Sequence, residues 1–382
     1  MWFLQEDMLL KLLLCTAVFI FGLYAFEKLK IKQHFKIFSA LLSAALMFSY
    51  SKELGLIYTA YVLLSYAMIV IMRKIKKCRK GFFVVFCILF ALPFFAYRIT
   101  PVKNYFGFTI VLIGFAYNML KAIDALFYTY YTDEKIEFTD YANFILFFPV
   151  FTSGPIFRYR DFHKAFENIK PLTAASMEYG IKRFILGMFK KVVLIALLNM
   201  VFEKLTAIEQ YHFYQSIATI ALAYLILYLD LSGYSDMAIG IGRLTSMEVP
   251  ENFKQPWSAA SFTQFWRKWH VTLSDWIREH IFVVVQGKRL NKYQSALIGF
   301  VTMIVMSLWH EFTLITLIGG IYMGLFLVIE NIFSLSTFNV RKEKKYKYVL
   351  RCFLVNFFFA VNALTFSLDI SKVVDILKGL VR

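Results

Sequence analysis

From Leu54 to Met72 the chain runs without a single charged side chain. A hydrocarbon core about 30 Å thick takes about 20 apolar residues as a helix, whereas a membrane strand needs only about 9–11. Backbone amides have no water to bond in lipid, so a spanning segment of this length is helical. Further apolar runs stand at Phe82–Tyr97, Phe106–Leu120, Ser295–Trp309 and Phe312–Val328, at Met8–Phe26 interrupted by Lys11, at Ile185–Phe202 carrying Lys190 and Lys191, at His212–Leu231 ending at Asp230, and at Tyr348–Phe366 carrying Arg351, with a shorter run at Phe38–Tyr50. With 59% hydrophobic and only 18% charged residues, the chain holds more apolar material than a water-facing fold buries. That excludes a soluble enzyme, a disordered chain and a nucleic-acid module. The expected class is an all-α polytopic membrane protein of about ten or eleven helices, some short or re-entrant, forming a single domain over residues 1–382. Met8–Phe26 lacks a small-residue cleavage site and is expected to be a retained span and not a signal peptide.

Tyr141–Ile156 is apolar too, but Phe148-Pro149 and Ser153-Gly154-Pro155 interrupt it, so a broken helix is expected there. Such a break at membrane depth must be buried in protein or line a cavity. Lys and Arg number 42 against 25 Asp and Glu, a net charge of +17. The densest basic run, Arg73–Lys80, and a second, Arg341–Lys347, are expected in cytoplasmic loops. The same charge would also attract anionic lipid or an acidic carrier protein. The four cysteines are scattered without a CxxC pair, and no metal-ligand spacing stands in the chain.

Ionisable residues inside apolar segments are costly and usually face a cavity or a functional site. His310 is the sharpest example, following Met306-Ser307-Leu308-Trp309 and preceding Glu311. On composition alone a hydrogen-bonded structural histidine is favoured there over a reactive one. His270 lies in Phe265-Trp266-Arg267-Lys268-Trp269-His270, and with Ser274–His280 this stretch reads as a Trp-rich amphipathic helix at the membrane interface. Ser153–Arg160 is a helix breaker followed by Arg158 and Arg160, whose guanidinium forks suit either an anionic ligand or lipid headgroups. Asp230 and Asp236 flank Gly233 at the end of a span, and Pro250-Glu251-Asn252-Phe253 reads as a turn into the Trp-rich helix. No P-loop, GxGxxG, HExxH or GxSxG is present, so nucleotide, zinc-protease and serine-hydrolase chemistry lack support.

Taken together, DLSGYSDMAIGIGR (230–243), PENFKQPW (250–257) and FWRKWHVTLSDWIRE (265–279) resemble the membrane-bound O-acyltransferase family. SGPIFRYRDF (153–162), GMFKKVV (187–193) and LWH (308–310) do so in the same order, over roughly residues 113–328. The likeness is greatest to the bacterial branch of alginate O-acetyltransferases and teichoic-acid D-alanyltransferases. It implies a ring of tilted helices around a central tunnel, in the plasma membrane of a bacterium. It also implies transfer of acyl groups from a cytoplasmic thioester, acyl-coenzyme A or an acyl-carrier protein, to a hydroxyl of an envelope polysaccharide or polyol. By matching position His310 corresponds to the family's catalytic histidine and His270 to the second polar residue of the site. Imidazole suits the task, because a hydroxyl nucleophile needs a base of near-neutral pKa within hydrogen-bond reach. Arg158, Arg160 and Arg267 are the candidates for holding the donor's phosphates. Trp266, Trp269, Trp309, Asp236 and Asn252 are the other candidates for substrate contact. No tightly bound cofactor is expected. The implied partners are membrane lipid, an acidic acyl-carrier protein on the cytoplasmic face, and an extracytoplasmic acetyl-relay or modifying protein.

One position departs from the family pattern. The residue after the catalytic histidine is usually glycine, and here it is Glu311. A carboxylate against His310 would raise its pKa and blunt it as a base. Two rival readings follow, a transporter using the histidines as a proton relay and an acyltransferase-like scaffold without activity.

Overall fold

The computed structural model describes residues 6–99, 114–152, 154–282, 291–338 and 343–382. The first five helices are α1 (Glu6–Lys28), α2 (Lys32–Tyr50), α3 (Lys52–Lys74), α4 (Arg79–Ile99) and α5 (Phe115–Thr132). The next five are α6 (Phe138–Leu146), α7 (Tyr159–Glu167), α8 (Ala174–Met188), α9 (Ile195–Thr206) and α10 (Phe213–Leu244). After two short helices, α11 (Phe262–Trp266) and α12 (Val271–Ile277), come α13 (Lys292–His310), α14 (Leu314–Ile332), α15 (Lys345–Ala363) and α16 (Ile370–Gly379). Among the described residues eight helical stretches are long and apolar enough to cross a membrane, so the chain is an all-α, multi-pass membrane protein. Leu14, Phe21, Leu64, Ile88 and Leu92 are exposed on these helices, as lipid-facing side chains are. Part of the span read at Phe106–Leu120, Ser153 of the breaker, and the start of the basic run Arg341–Lys347 lie outside the described residues.

The chain divides into two compact units, residues 1–185 with 236–250 and residues 186–235 with 251–382. In the first, the apolar segment from Tyr141 breaks as expected: α6 ends at Leu146 and a 3₁₀ turn takes Phe148–Val150. The freed carbonyls find internal donors. Lys121 Nζ donates to Ile145 O at 2.9 Å and Asn118 Nδ2 to Phe151 O at 3.0 Å. Gly114 precedes α5 at φ +73°, where a Cβ would stand 2.3 Å from Phe151 O, so only glycine fits.

The second unit holds the antiparallel pair α13 and α14. Gly320 and Gly324 on α14 let the two backbones meet, since a Cβ on Gly320 would lie 2.9 Å from Ile304 Cα and from Ser307 Cβ. Two expectations change here. The helix expected to end near Asp230 continues to Leu244, because its carboxylates are paired: Asp230 with Lys191 and Asp236 with Arg183. The Trp-rich stretch is not one amphipathic interfacial helix. It breaks at His270, and Phe265, Trp269, His270 and Trp276 are buried.

Candidate active site

α11 begins at Ser261, whose hydroxyl accepts from Gln264 N at 3.1 Å. Its other free amides are taken by a residue from another helix: the Glu330 carboxylate of α14 accepts from Phe262 N, from Thr263 N at 2.9 Å and from Thr263 Oγ1 at 3.0 Å. A carboxylate at a helix N-terminus satisfies both the unpaired N–H groups and the helix dipole. Glu330 thereby fixes the segment whose next turn carries Trp266, Trp269 and His270.

His270 sits between α11 and α12 with φ 45° and ψ 51°, in the left-handed region. For a non-glycine residue this conformation costs of order 1 kcal/mol and persists only where neighbours enforce it. Here Asn252 enforces it. Its carbonyl accepts from Val271 N at 2.9 Å, and its Oδ1 accepts from Thr272 Oγ1 at 2.9 Å. The opposite wall comes from α13, which ends at His310.

The two imidazoles face one cavity of about 70 Å³, lined also by Trp266, Trp269, Met303, Met306, Ser307, Met323, Phe359, Asn362 and Phe366. The ring centroids of His270 and His310 are 6.4 Å apart at 61°. That spacing leaves room for one substrate oxygen to reach both rings at hydrogen-bond distance. Phe366 meets His310 edge-on at 5.8 Å, and Trp269 packs on Phe359 at 4.7 Å and Phe265 at 5.5 Å. His270 is 3% exposed. Burial, and secondly the neighbouring His310, push it from the usual 6.5 down to about 3, so it is neutral at physiological pH. A neutral imidazole offers one N–H donor and one acceptor nitrogen.

A second, wider cavity of about 450 Å³ shares Trp266, Met303 and Met306 with the first and is lined by Thr263, Arg267, Ser274, Arg278 and Thr302. Arg278 pairs with Asp275. This basic antechamber has the composition that an anionic, extended ligand would need.

The candidates named from the sequence separate accordingly. His270, His310, Trp266 and Trp269 share one cavity, and Arg267 lines the next. Trp309 packs edge-on against His310 at 4.8 Å without lining the cavity. Asn252 supports His270 from behind. Arg158, Arg160 and Asp236 belong to the other unit. There Arg158 is buried against Asp124 at 3.1 Å, Arg160 is exposed beside Asp161, and Asp236 takes both Arg183 Nε and Nη2, at 2.8 and 2.7 Å. Glu311 is exposed and extended beyond the end of α13, and it does not line the cavity. Sequence reasoning missed Glu330, Ser307 and Asn362. Glu330 carried a signal, being the one acid in the apolar run of α14.

Residues 129–371 match the model of the membrane-bound O-acyltransferase family. The chain is 34% identical over 228 residues to a probable alginate O-acetylase AlgI of Pseudomonas syringae pv. tomato, covering 59% of this chain and 44% of that protein. It is 31% identical over 257 residues to a peptidoglycan O-acetyltransferase of Helicobacter pylori, covering 64% and 47%. Over 287 residues it is 26% identical to a teichoic acid D-alanyltransferase of Streptococcus thermophilus, covering 71% and 69%. The chain therefore spans under half the length of these two acetylase relatives. The match reaches past residue 328 to take in α15 and the start of α16.

Proposed function

The chain belongs to the membrane-bound O-acyltransferase family, and from that premise we propose that it transfers a small acyl group from a thioester to a hydroxyl, working as a single membrane domain. The observation that carries the reading is the pair of imidazoles facing one narrow cavity. His310 takes the proton of the acceptor hydroxyl as its oxygen attacks the acyl carbonyl carbon. The carbonyl π electrons move to oxygen and form a tetrahedral oxyanion. When these electrons return, the carbon–sulfur bond breaks and His310 gives its proton to the departing thiolate. General-base assistance of this kind contributes about 10²–10⁴-fold. His270, kept neutral, donates its N–H to orient the acyl carbonyl and steady the oxyanion. Arg267 and Arg278 hold the donor's phosphates in the antechamber, with the thioester passing Trp266 into the histidine cavity. Glu311, exposed beyond the end of α13, stays outside this cavity.

Acetyl is the favoured acyl group and an envelope polysaccharide or polyol the acceptor, with an extracytoplasmic relay protein receiving the group. This follows the higher identity to proteins named as acetylases. D-alanyl transfer is the second reading, favoured by the longer coverage of a D-alanyltransferase relative. It requires an acidic carrier protein. Lys74, Lys76, Lys77 and Lys80 are exposed for one, whereas Arg79 pairs with Asp133. Mass analysis of envelope polymers from cells with and without the protein tests the reading. Loss of acetyl or D-alanyl esters supports it and distinguishes the two. Unchanged esters together with an altered solute flux would move the protein to the transporter class.

A further inference from the structure

α15 delivers one polar side chain to the cavity wall, in its last turn. Asn362 is 3% exposed and lines the histidine cavity alongside Ser307, Phe359 and Phe366. Its Oδ1 is buried and has no hydrogen-bond partner among the described residues. An amide oxygen buried without a partner costs about 1–3 kcal/mol, so a carboxamide is kept at this position for something other than the bonding of that oxygen. Packing places the two ends of this amide differently. Oδ1 lies against Gly319 of α14, where an added Cβ would come within 2.8 Å of it, so the NH₂ end is the one left to the cavity. The backbone around it is well anchored, with Thr365 Oγ1 donating to Asn362 O at 2.8 Å. Gly319 is the position that makes room for the amide, since any side chain there would strike it.

We propose that the Asn362 amide N–H donates to the acyl carbonyl oxygen and, with His270, holds the oxyanion of the tetrahedral intermediate. This rests on the acyl-transfer reading of the same cavity. As the acceptor oxygen bonds to the carbonyl carbon, the carbonyl electron pair moves onto the oxygen that faces Asn362. It returns as the carbon–sulfur bond breaks and the thiolate takes the proton held by His310. The donor is worth more in the transition state than in the ground state because the charge on that oxygen grows during the step. The ligand class at this position is therefore an acyl thioester carbonyl.

The test uses purified full-length protein in detergent, with acetyl-coenzyme A as donor and envelope from cells lacking the protein as acceptor, read as thiol release and ester formation. Asn362→Leu, similar in shape and apolar, should melt at or above the wild-type temperature and lose about 10²–10³-fold in kcat with KM nearly unchanged. Gly319→Ala should lower kcat in the same sense from the other side of the contact, and Asn362→Ser should recover part of the loss. Leucine retaining kcat within a few-fold, or a loss confined to KM, would overturn the proposal, as would a loss that follows a fall in melting temperature in all three variants. His310→Ala serves as the control for the underlying reading. If wild type transfers, His310→Ala does not and Asn362→Leu does, only the oxyanion assignment falls. If wild type itself transfers nothing from acetyl or D-alanyl thioesters, the acyl-transfer reading falls and this assignment with it.

Discussion

Replacing Glu330 with leucine strips the N-terminus of α11 of its acceptor, and the consequence can be worked out from the contacts. Phe262 N, Thr263 N and Thr263 Oγ1 all lose their partner. Phe262 is only 6% exposed, so water replaces the carboxylate poorly. Two main-chain donors left unpaired cost about 1–3 kcal/mol each. Part of that is offset because leucine needs no dehydration of a carboxylate. The net expectation is a destabilisation of about 2–4 kcal/mol. Glu330→Gln should cost about half as much, since its carbonyl oxygen still accepts while its NH₂ group faces a donor. Activity should fall further than stability, because α11 aims Trp266 and, four residues on, His270. A misplacement of about 1 Å at a reacting group can cost about 100-fold. Thermal unfolding in detergent, run beside thioester turnover on the same preparations, reads both effects. The expected order is wild type, then glutamine, then leucine in each. A leucine variant that melts and turns over like wild type would refute the idea that this clamp positions the site.

Gly320→Ala should separate α13 from α14, because its Cβ would meet Ile304 Cα at 2.9 Å and main chain does not yield. A cost of about 1–3 kcal/mol and reduced transfer are expected in the same melting and turnover assays. His270 makes acid stability a further test. Its pKa is lowered on folding, from 6.5 to about 3, so below about 6.5 the unfolded chain takes up a proton that the native site refuses. Native stability should therefore fall with decreasing pH through that window, by up to about 1.4 kcal/mol per pH unit. His270→Asn, which tolerates the left-handed backbone, should lose this share of the acid sensitivity. Melting curves from pH 7.5 to 5 compare the two, and identical slopes would contradict a buried neutral imidazole.

How much of this was legible beforehand depends on the range of the interactions involved. The spans could be read because a run such as Leu54–Met72 meets lipid whatever surrounds it, and Pro149 breaks a helix by its own geometry. The continuation of α10 past Asp230 was hidden, since it depends on Lys191 and Arg183 from a different helix neutralising its carboxylates. The break at His270 carries no glycine or proline to announce it, and a contact with Asn252 eighteen residues earlier enforces it. His310 and His270 were found through motif likeness, where composition alone favoured a structural role for His310. Asn362 stands in the run Phe-Phe-Phe-Ala-Val-Asn, and only the packing of α14 and α15 shows that it shares a wall with the histidines.

The most direct test of the central claim is the ester content of envelope polymers in a deletion strain complemented with His310→Ala, with membrane insertion and melting behaviour confirmed to match wild type. The account predicts that wild type restores the acyl esters and that the alanine variant, although folded, restores none. Restoration of normal ester content by a well-folded His310→Ala protein would contradict it.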